Sequence, residues 1–323
     1  MSPRPGAPRG LVGLNNLGNT CFMASILQCL SNVPQLTAYF YNDTYRRDIC
    51  KKSPTKGKVA AAYGSLIKRM WRSGGAGSTE RPSEVKAVVG RAASRFMGYD
   101  QQDAQEFLRF FLDALHDDTN KVQNKTYEEL TEKPTDSDGK VSRKWWDYYC
   151  KRNDSVIKDL FAGQLKSSLT CSACGYVSRC FDPFWDLSVP IPKSAQVRGR
   201  SGGACTVEDC LESLVTPEVL RRSEAWHCPK CKRDVEATKV MSLFRCPNVL
   251  VVHLKRFSYS TFRRTKLGTR VRFPAQGLNL LRFCSDECAC WGDHRRGPPP
   301  VYDLVGVSNH MGGMGGGHYT ACV

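Results

Sequence analysis

No stretch of this 323-residue chain is apolar for long enough to cross a membrane, since a spanning helix needs about 20 consecutive apolar residues. The opening MSPRPGAPRG has no apolar core segment and does not read as a signal peptide. No internal repeat and no long low-complexity tract interrupts the chain. A dense basic stretch interleaved with aromatics is also missing, although the formal charge is +16. That charge is spread over short clusters such as Lys51–Lys52, Arg221–Arg222 and Arg263–Arg264. A solvated surface accounts for it better than nucleic acid, an anionic membrane or an acidic partner. With no secretory route in view, the sixteen cysteines read as metal ligands, catalytic thiols and buried residues rather than disulfides. The expected compartment is intracellular, cytoplasmic or nuclear.

What is present is ordinary for a folded protein. Hydrophobic residues make up 41% and charged residues 24%, so the chain has enough apolar material for one large domain or two smaller ones. Polar breaks rich in Gly, Pro and Ser fall at Lys51–Lys58, Ser73–Ser83, Thr131–Lys140, Pro192–Ala204 and about Cys284–Pro300. A helix is expected from about Cys21, with Ile26, Leu27 and Leu30 on its apolar face and Pro34 ending it. A second is expected over Asp103–His116, where Ala104, Phe107, Leu108, Phe111, Leu112 and Leu115 recur at helical spacing. From Leu165 onward the texture turns to β-branched and aromatic runs: LKSSLTCSACGYVSRCFDPFWDLSV, NVLVVHLKRFSY, RVRFPAQGLNL and YDLVGVSNHM. A helical first half and a mostly β second half make this an α+β protein, with a cleft between the two layers as the natural place for chemistry.

Three groups of residues point to chemistry. In GLNNLGNTCFMASILQCL, Cys21 follows an Asn/Gly/Asn/Thr turn at a helix start. Unpaired N–H groups and the positive end of the helix dipole there favour a thiolate. The plainer reading is a small residue after a cap. In NHMGGMGGGHYTACV, His318 follows a glycine run, and histidine is the usual general base for a thiol distant in sequence. Alone, such a histidine is more often structural or exposed; paired with Cys21 it completes a dyad. Gly315, Gly316 and Gly317 permit close backbone approach by an extended substrate. Asn16 is placed to donate a side-chain hydrogen bond to a tetrahedral oxyanion. The third group is two Cys-x-x-Cys pairs, Cys171/Cys174 and Cys228/Cys231. Two such knuckles complete a tetrahedral structural zinc shell. The 53 residues between them exceed short-finger spacing, but a long hairpin between flanking strands brings them together. The competing reading is two unrelated reduced pairs; a redox role leaves the second pair unexplained. Cys284, Cys288, Cys290 and His294 offer a weaker second metal set, in a segment otherwise read as a loop insertion.

Together these motifs resemble the ubiquitin-specific protease family (peptidase C19). GLNNLGNTCFMASILQCL is similar to its cysteine box and GYDQQDAQEFLRFFLDALHDD to its glutamine/aspartate helix. VLVVHLKRFSY and YDLVGVSNHMGGMGGGHYTA are similar to the later strand and histidine boxes. The resemblance runs from about Gly13 to Ala321. It implies a papain-like cysteine protease hand: a basic tail over 1–12, a helical thumb over about 13–160, zinc-bearing β fingers over about 161–245 and a β palm over about 246–323. It further implies a deubiquitinase that hydrolyses the peptide or isopeptide bond after the C-terminal glycine of ubiquitin through a Cys21 acyl-enzyme. His318 is then the general base and Asn16 part of the oxyanion hole. Asp103 and Glu106, one helical turn apart, match positions that meet arginines of the ubiquitin tail; without the family they read as a solvated helix face. Arg256, Phe257 and Tyr259 match the strand flanking that tail, and Tyr319 follows the histidine as in the family. The implied partners are ubiquitin and ubiquitinated proteins.

The chain departs from the family pattern after His318. The family continues with an Asp or Asn that orients the imidazole and with further palm strands. Here only Tyr319, Thr320, Ala321, Cys322 and Val323 follow, so the expected palm is C-terminally truncated. In serine enzymes the loss of the orienter costs about 10⁴-fold in turnover. The alternative expectation is therefore an impaired form acting as a ubiquitin-binding module.

Overall fold

The computed structural model describes residues 10–72, 77–131, 133, 135–196, 203–221, 224–260, 263–288, 299–313 and 316–323. The basic tail before residue 10, Gly315, Cys290 and His294 lie outside them. Chain contacts divide the molecule into two units. One comprises Met1–Lys125, Arg152–Leu160 and Leu304–Val323; the other comprises Thr126–Lys151 and Phe161–Asp303.

The first unit is built on helices α1 (Cys21–Ser31), α2 (Pro34–Tyr41), α3 (Lys58–Arg72), α4 (Ser83–Ala92) and α5 (Ala104–Thr119). The six apolar α5 positions expected from spacing are all buried. Asp103 precedes α5 as its N-cap, and its carboxylate accepts from the backbone N–H groups of Gln105 and Glu106. This satisfies two otherwise unpaired donors of the first turn. Pro34 plays a different part from the one expected. Helix α1 stops at Ser31, and Pro34 opens α2, where its missing N–H is no loss and its fixed φ suits the first turn.

A run of aromatic rings ties these helices together. Phe22 meets Phe107 edge-on at 5.6 Å, Phe107 stacks on Phe111 at 5.4 Å, and Phe111 meets Tyr63 at 5.3 Å. Tyr63 meets Phe40 at 4.8 Å. Each fully buried ring of this kind contributes roughly 1.5–3 kcal/mol, so the run fixes α1, α2, α3 and α5 as one body.

The polar Lys51–Lys58 break is a tightly held turn. Asp118, fully buried near the end of α5, accepts from the hydroxyls of Ser53 and Thr55 and from the backbone N–H groups of Gly57, Val59 and Ala60. Its negative charge thus sits at the N-terminus of α3, where dipole and unpaired donors both favour it. A hairpin of Val307–Gly313 and Gly316–Cys322, with Met311 opposite His318, packs on α1. The hydroxyls of Ser25 and Ser308 meet at 2.9 Å. Gly306 allows the approach, because a Cβ there would lie 3.2 Å from Cys29 Sγ.

The second unit carries an antiparallel sheet of β1 (Gly163–Cys171), β2 (Val177–Phe184), β3 (Glu218–Leu220) and β4 (Ala237–Arg245), in the order β2-β1-β4-β3. Helix α6 (Asp138–Arg152) covers it through Val141, which packs on Phe181 and Phe244. Asp138 pairs with Arg179 at 2.9 Å and with Lys166. A second core gathers Leu187, Val189, Leu211, Leu243, Leu280 and Phe283, where the strand Val252–Lys255 runs parallel to Leu187–Pro190. Helices thus dominate the chain to Phe161 and strands dominate from Gly163, the α+β division expected.

Candidate active site and metal centre

The loop before α1 is shaped by two left-handed residues, Gly18 (φ 101°) and Asn19 (φ 53°). Only glycine fits the first, because a Cβ on Gly18 would lie 2.7 Å from the ring of Tyr99. Asn19 donates to the carbonyl of Tyr99 at 2.8 Å. Asn16 holds the turn from within, as its Oδ1 accepts from Thr20 N at 2.9 Å, Thr20 Oγ1 at 3.1 Å and Gly18 N at 3.2 Å. These bonds orient the amide with its oxygen toward Thr20, which leaves the NH₂ end to donate outward.

Cys21 is then the first residue of α1, and it is only 6% exposed. Thr20, at the N-cap, makes no side-chain cap bond, so the N–H groups beside the thiol remain uncapped by it. Cys29 is the contrast. Its thiol, half-buried on the same helix, is pushed up to about 11 by burial and then by the charge of Cys322. That keeps it protonated at neutral pH and unsuited to attack.

The hairpin brings His318 into the same unit as Cys21. His318 is exposed and stands between two residues that reach neighbouring elements. On one side the backbone N–H of Gly317 donates to Gln101 Oε1 at 2.7 Å. On the other, the Tyr319 phenol is pushed up to about 12, first by burial and then by the nearby charges of Asp103 and Cys21, against a hydrogen bond from the Ala104 backbone. Tyr319 therefore lies where α1 and α5 begin. Asn16, Cys21, Asp103, His318 and Tyr319 all belong to this unit.

Glu106 is 54% exposed and pairs with Arg95 at 3.3 Å, an exposed contact of little energetic weight. In the other unit, Arg256 is half-buried and donates to the carbonyls of Leu267 at 3.2 Å and Thr269 at 2.7 Å. Its pKa is lowered by burial. Phe257 opens the strand Phe257–Ser260, and Tyr259 is described there by its backbone alone. Residue reasoning missed Gln101 and Tyr99, which hold the histidine strand and the cysteine loop. The only signal for them was their place in GYDQQDAQEF, just ahead of a helix.

The four knuckle cysteines converge. Their sulfurs all lie within 4.8 Å of one another, with Cys171 and Cys231 at 3.8 Å and Cys174 and Cys228 at 3.7 Å. In place of the long hairpin expected from sequence, the non-consecutive strands β1 and β4 pair antiparallel, and their register sets Cys171 beside Ala237. Each knuckle closes on a left-handed residue, Gly175 (φ 67°) and Lys232 (φ 55°). In each, the N–H of the second cysteine donates to the first sulfur at 3.4 Å. Tyr176 stacks on Trp226 at 6.3 Å beside the cluster. Burial raises the Cys171 thiol, but hydrogen bonds from the Cys174 and Ala173 backbone outweigh it and bring it to about 6. Cys231 is pushed up to about 12, chiefly by its hydrogen bond with Cys174 and by burial. Four sulfurs at these separations suit a tetrahedral thiophilic cation, with N–H···S bonds offsetting the thiolate charge.

Comparison with known proteins follows the same lines. The sequence pattern of the family described as Ubiquitin carboxyl-terminal hydrolase matches residues 12–323. Over 316 residues the chain is 45% identical to ubiquitin carboxyl-terminal hydrolase 2 of Homo sapiens, covering 97% of this chain and 49% of that protein. The Gallus gallus protein of that name is 45% identical over 324 residues, covering 99% of this chain and 86% of its own length. The chain thus spans about half the length of the human relative. Among solved structures, a chain in "Structure of the SAGA Ubp8/Sgf11/Sus1/Sgf73 DUB module bound to ubiquitin aldehyde" matches with a TM-score of 0.72 at 26% identity. That match covers 99% of this chain and 63% of the other.

Proposed function

The chain belongs to the ubiquitin carboxyl-terminal hydrolase family, and on that premise we propose that it is a thiol-dependent deubiquitinase. The observation that carries this is Cys21 at the uncapped start of α1, in the same unit as the His318 strand. His318 takes the Cys21 proton, and the thiolate attacks the carbonyl of the ubiquitin C-terminal glycine. The Asn16 NH₂ group donates to the tetrahedral oxyanion. Collapse gives a thioester and expels the amine, which takes the proton back from His318. Water, deprotonated by His318, then hydrolyses the thioester and restores Cys21.

In the same reading, Asp103, Glu106, Arg256, Phe257, Tyr259 and Tyr319 line the path of the ubiquitin tail. The chain divides into thumb (about 13–160), fingers (about 161–245) and palm (about 246–323). Cys171, Cys174, Cys228 and Cys231 hold a structural zinc ion that keeps the finger strands paired. Ubiquitin is the natural ligand for such fingers, and the DUB module structure similar to this chain is titled as bound to ubiquitin aldehyde.

The test is fluorophore release from the C-terminus of ubiquitin by residues 1–323, beside Cys21→Ala. Turnover that falls to background in the variant, with ubiquitin affinity retained, is the expected result. A folded wild-type chain that binds ubiquitin without turnover would instead make this form a binding module.

A further inference from the structure

A second set of sulfurs lies in the strand-rich unit, away from the knuckles in sequence. Cys246 follows β4 in FRCPN, and Cys284 and Cys288 flank the turn CSDEC. Their three sulfurs lie within 4.8 Å of one another. The Cys246–Cys284 separation is 3.9 Å, close to the 3.8 and 3.7 Å of the knuckle pairs and to the sulfur–sulfur edge of a tetrahedral zinc–thiolate site with bonds of about 2.3 Å.

The backbone holds this arrangement in place. Cys284 bridges to Leu243 of β4, and the N–H of Ser285 donates to the Leu243 carbonyl at 2.8 Å. The Cys288 N–H closes the turn on Ser285 O at 2.9 Å. Glu287 accepts from the Gly139 N–H at 2.6 Å, which ties the turn to the start of α6. Next to Cys246, the Tyr302 hydroxyl donates to the Pro247 carbonyl at 2.6 Å. By contrast Cys205 and Cys210, also 3.9 Å apart, belong to no such set of three among the described residues.

We infer that Cys246, Cys284 and Cys288 form a second thiolate site for one thiophilic divalent cation of the zinc class. All three are half-buried, and three sulfurs leave the fourth tetrahedral position to water or another donor. Cys288 is disulfide-bonded in this structure, which makes loading conditional on reduction. Two molecules of a low-molecular-weight monothiol open that bond, are themselves oxidised to their disulfide, and leave Cys288 and its former partner as thiols. The cation then displaces the protons of the three ligand thiols. The site is soft and sulfur-rich, so it selects zinc-class ions over magnesium or calcium.

The test uses the full chain, reduced with a monothiol, desalted without oxygen and titrated with Zn²⁺ and, separately, Co²⁺. The expected stoichiometry is close to two ions per chain, falling to one in Cys284→Ser and in Cys288→Ser. The single remaining ion should keep a tetrahedral cobalt–thiolate spectrum from the knuckle site. Without prior reduction the wild-type chain should take up only one ion. A metal count that neither substitution changes, whether one or two, overturns the proposal. A single ion lost on either substitution would uphold it and remove the knuckle site instead. Should Cys284→Ser misfold, the wild-type count with and without reductant still decides, and Cys288→Ser gives the independent substitution.

Discussion

At Gly317 a Cβ would clash with His310 Nε2 and with the Met311 carbonyl. The same hairpin holds a control in Gly313, where an added Cβ meets nothing within 4 Å. Gly317→Ala should therefore cost about 1–3 kcal/mol, as overpacking does, while Gly313→Ala stays near wild type; urea unfolding of the two variants checks this. The glycine run was legible as a place of close approach, but the close approach at Gly317 is made by the protein's own His310. Cys21 was legible because a polar turn and an apolar helix meet at one residue. Asp103 was read by its charge and spacing, whereas its carboxylate also serves as the α5 N-cap, a role that its position before an apolar run already suggested.

Helix α5 shows how far periodicity reaches. Its apolar stripe could be written down in advance, but the polar residues buried at its far end could not. His116 is buried, with Nδ1 2.7 Å from Ser155 Oγ and Nε2 3.1 Å from Asn153 Oδ1. Burial lowers its pKa from the ordinary value of 6.5, against the hydrogen bond to Asn153, which raises it. A folded-state pKa below the unfolded one means the unfolded chain binds the proton more readily. Stability from this group is therefore complete above the unfolded value and is lost as pH falls through about 6.5 toward the lower folded-state pKa. Thermal melts from pH 8 to pH 5 should show the decline, and His116→Gln should lessen it. Strands were harder to read, since several have only two to four residues and owe their pairing to partners far away in sequence. The pairing of β1 with β4 was visible only through the cysteines at the end of that ladder.

Across the whole molecule, the two units rest on different foundations. The first is a helical core knit by aromatic rings, and the knuckle end of the second gathers four sulfurs in place of a large apolar core. Of the second unit, the knuckle core consists of Cys171, Cys228 and Val235, with Cys174, Tyr176, Trp226 and Cys231 packed against it. So small an apolar cluster cannot hold two loops unaided. Once the chain is loaded with the proposed zinc ion, removing it with a chelator should release amide protection over residues 171–176 and 226–237 while leaving α1–α5 protected, as hydrogen exchange by mass spectrometry would report. A fold in two units that each draw on both halves of the sequence explains why the helical and β textures were legible but their grouping was not. The grouping depends on chain returns at residues 126, 152, 161 and 304 that no local pattern announces.

The carboxylate of Asp118 gives this architecture a kinetic consequence. The amides of Val59 and Ala60 receive their acceptor from 59 and 58 residues downstream, so the first turn of α3 cannot finish until the end of α5 has arrived. Loop closure over that distance precedes its reward, and the two helices should consolidate in one step rather than in chain order. In pulse-labelling during refolding, the Val59 and Ala60 amides should gain protection together with the last turn of α5. In Asp118→Asn they should lag behind it, and a nascent chain stopped short of residue 118 should leave α3 frayed at its start.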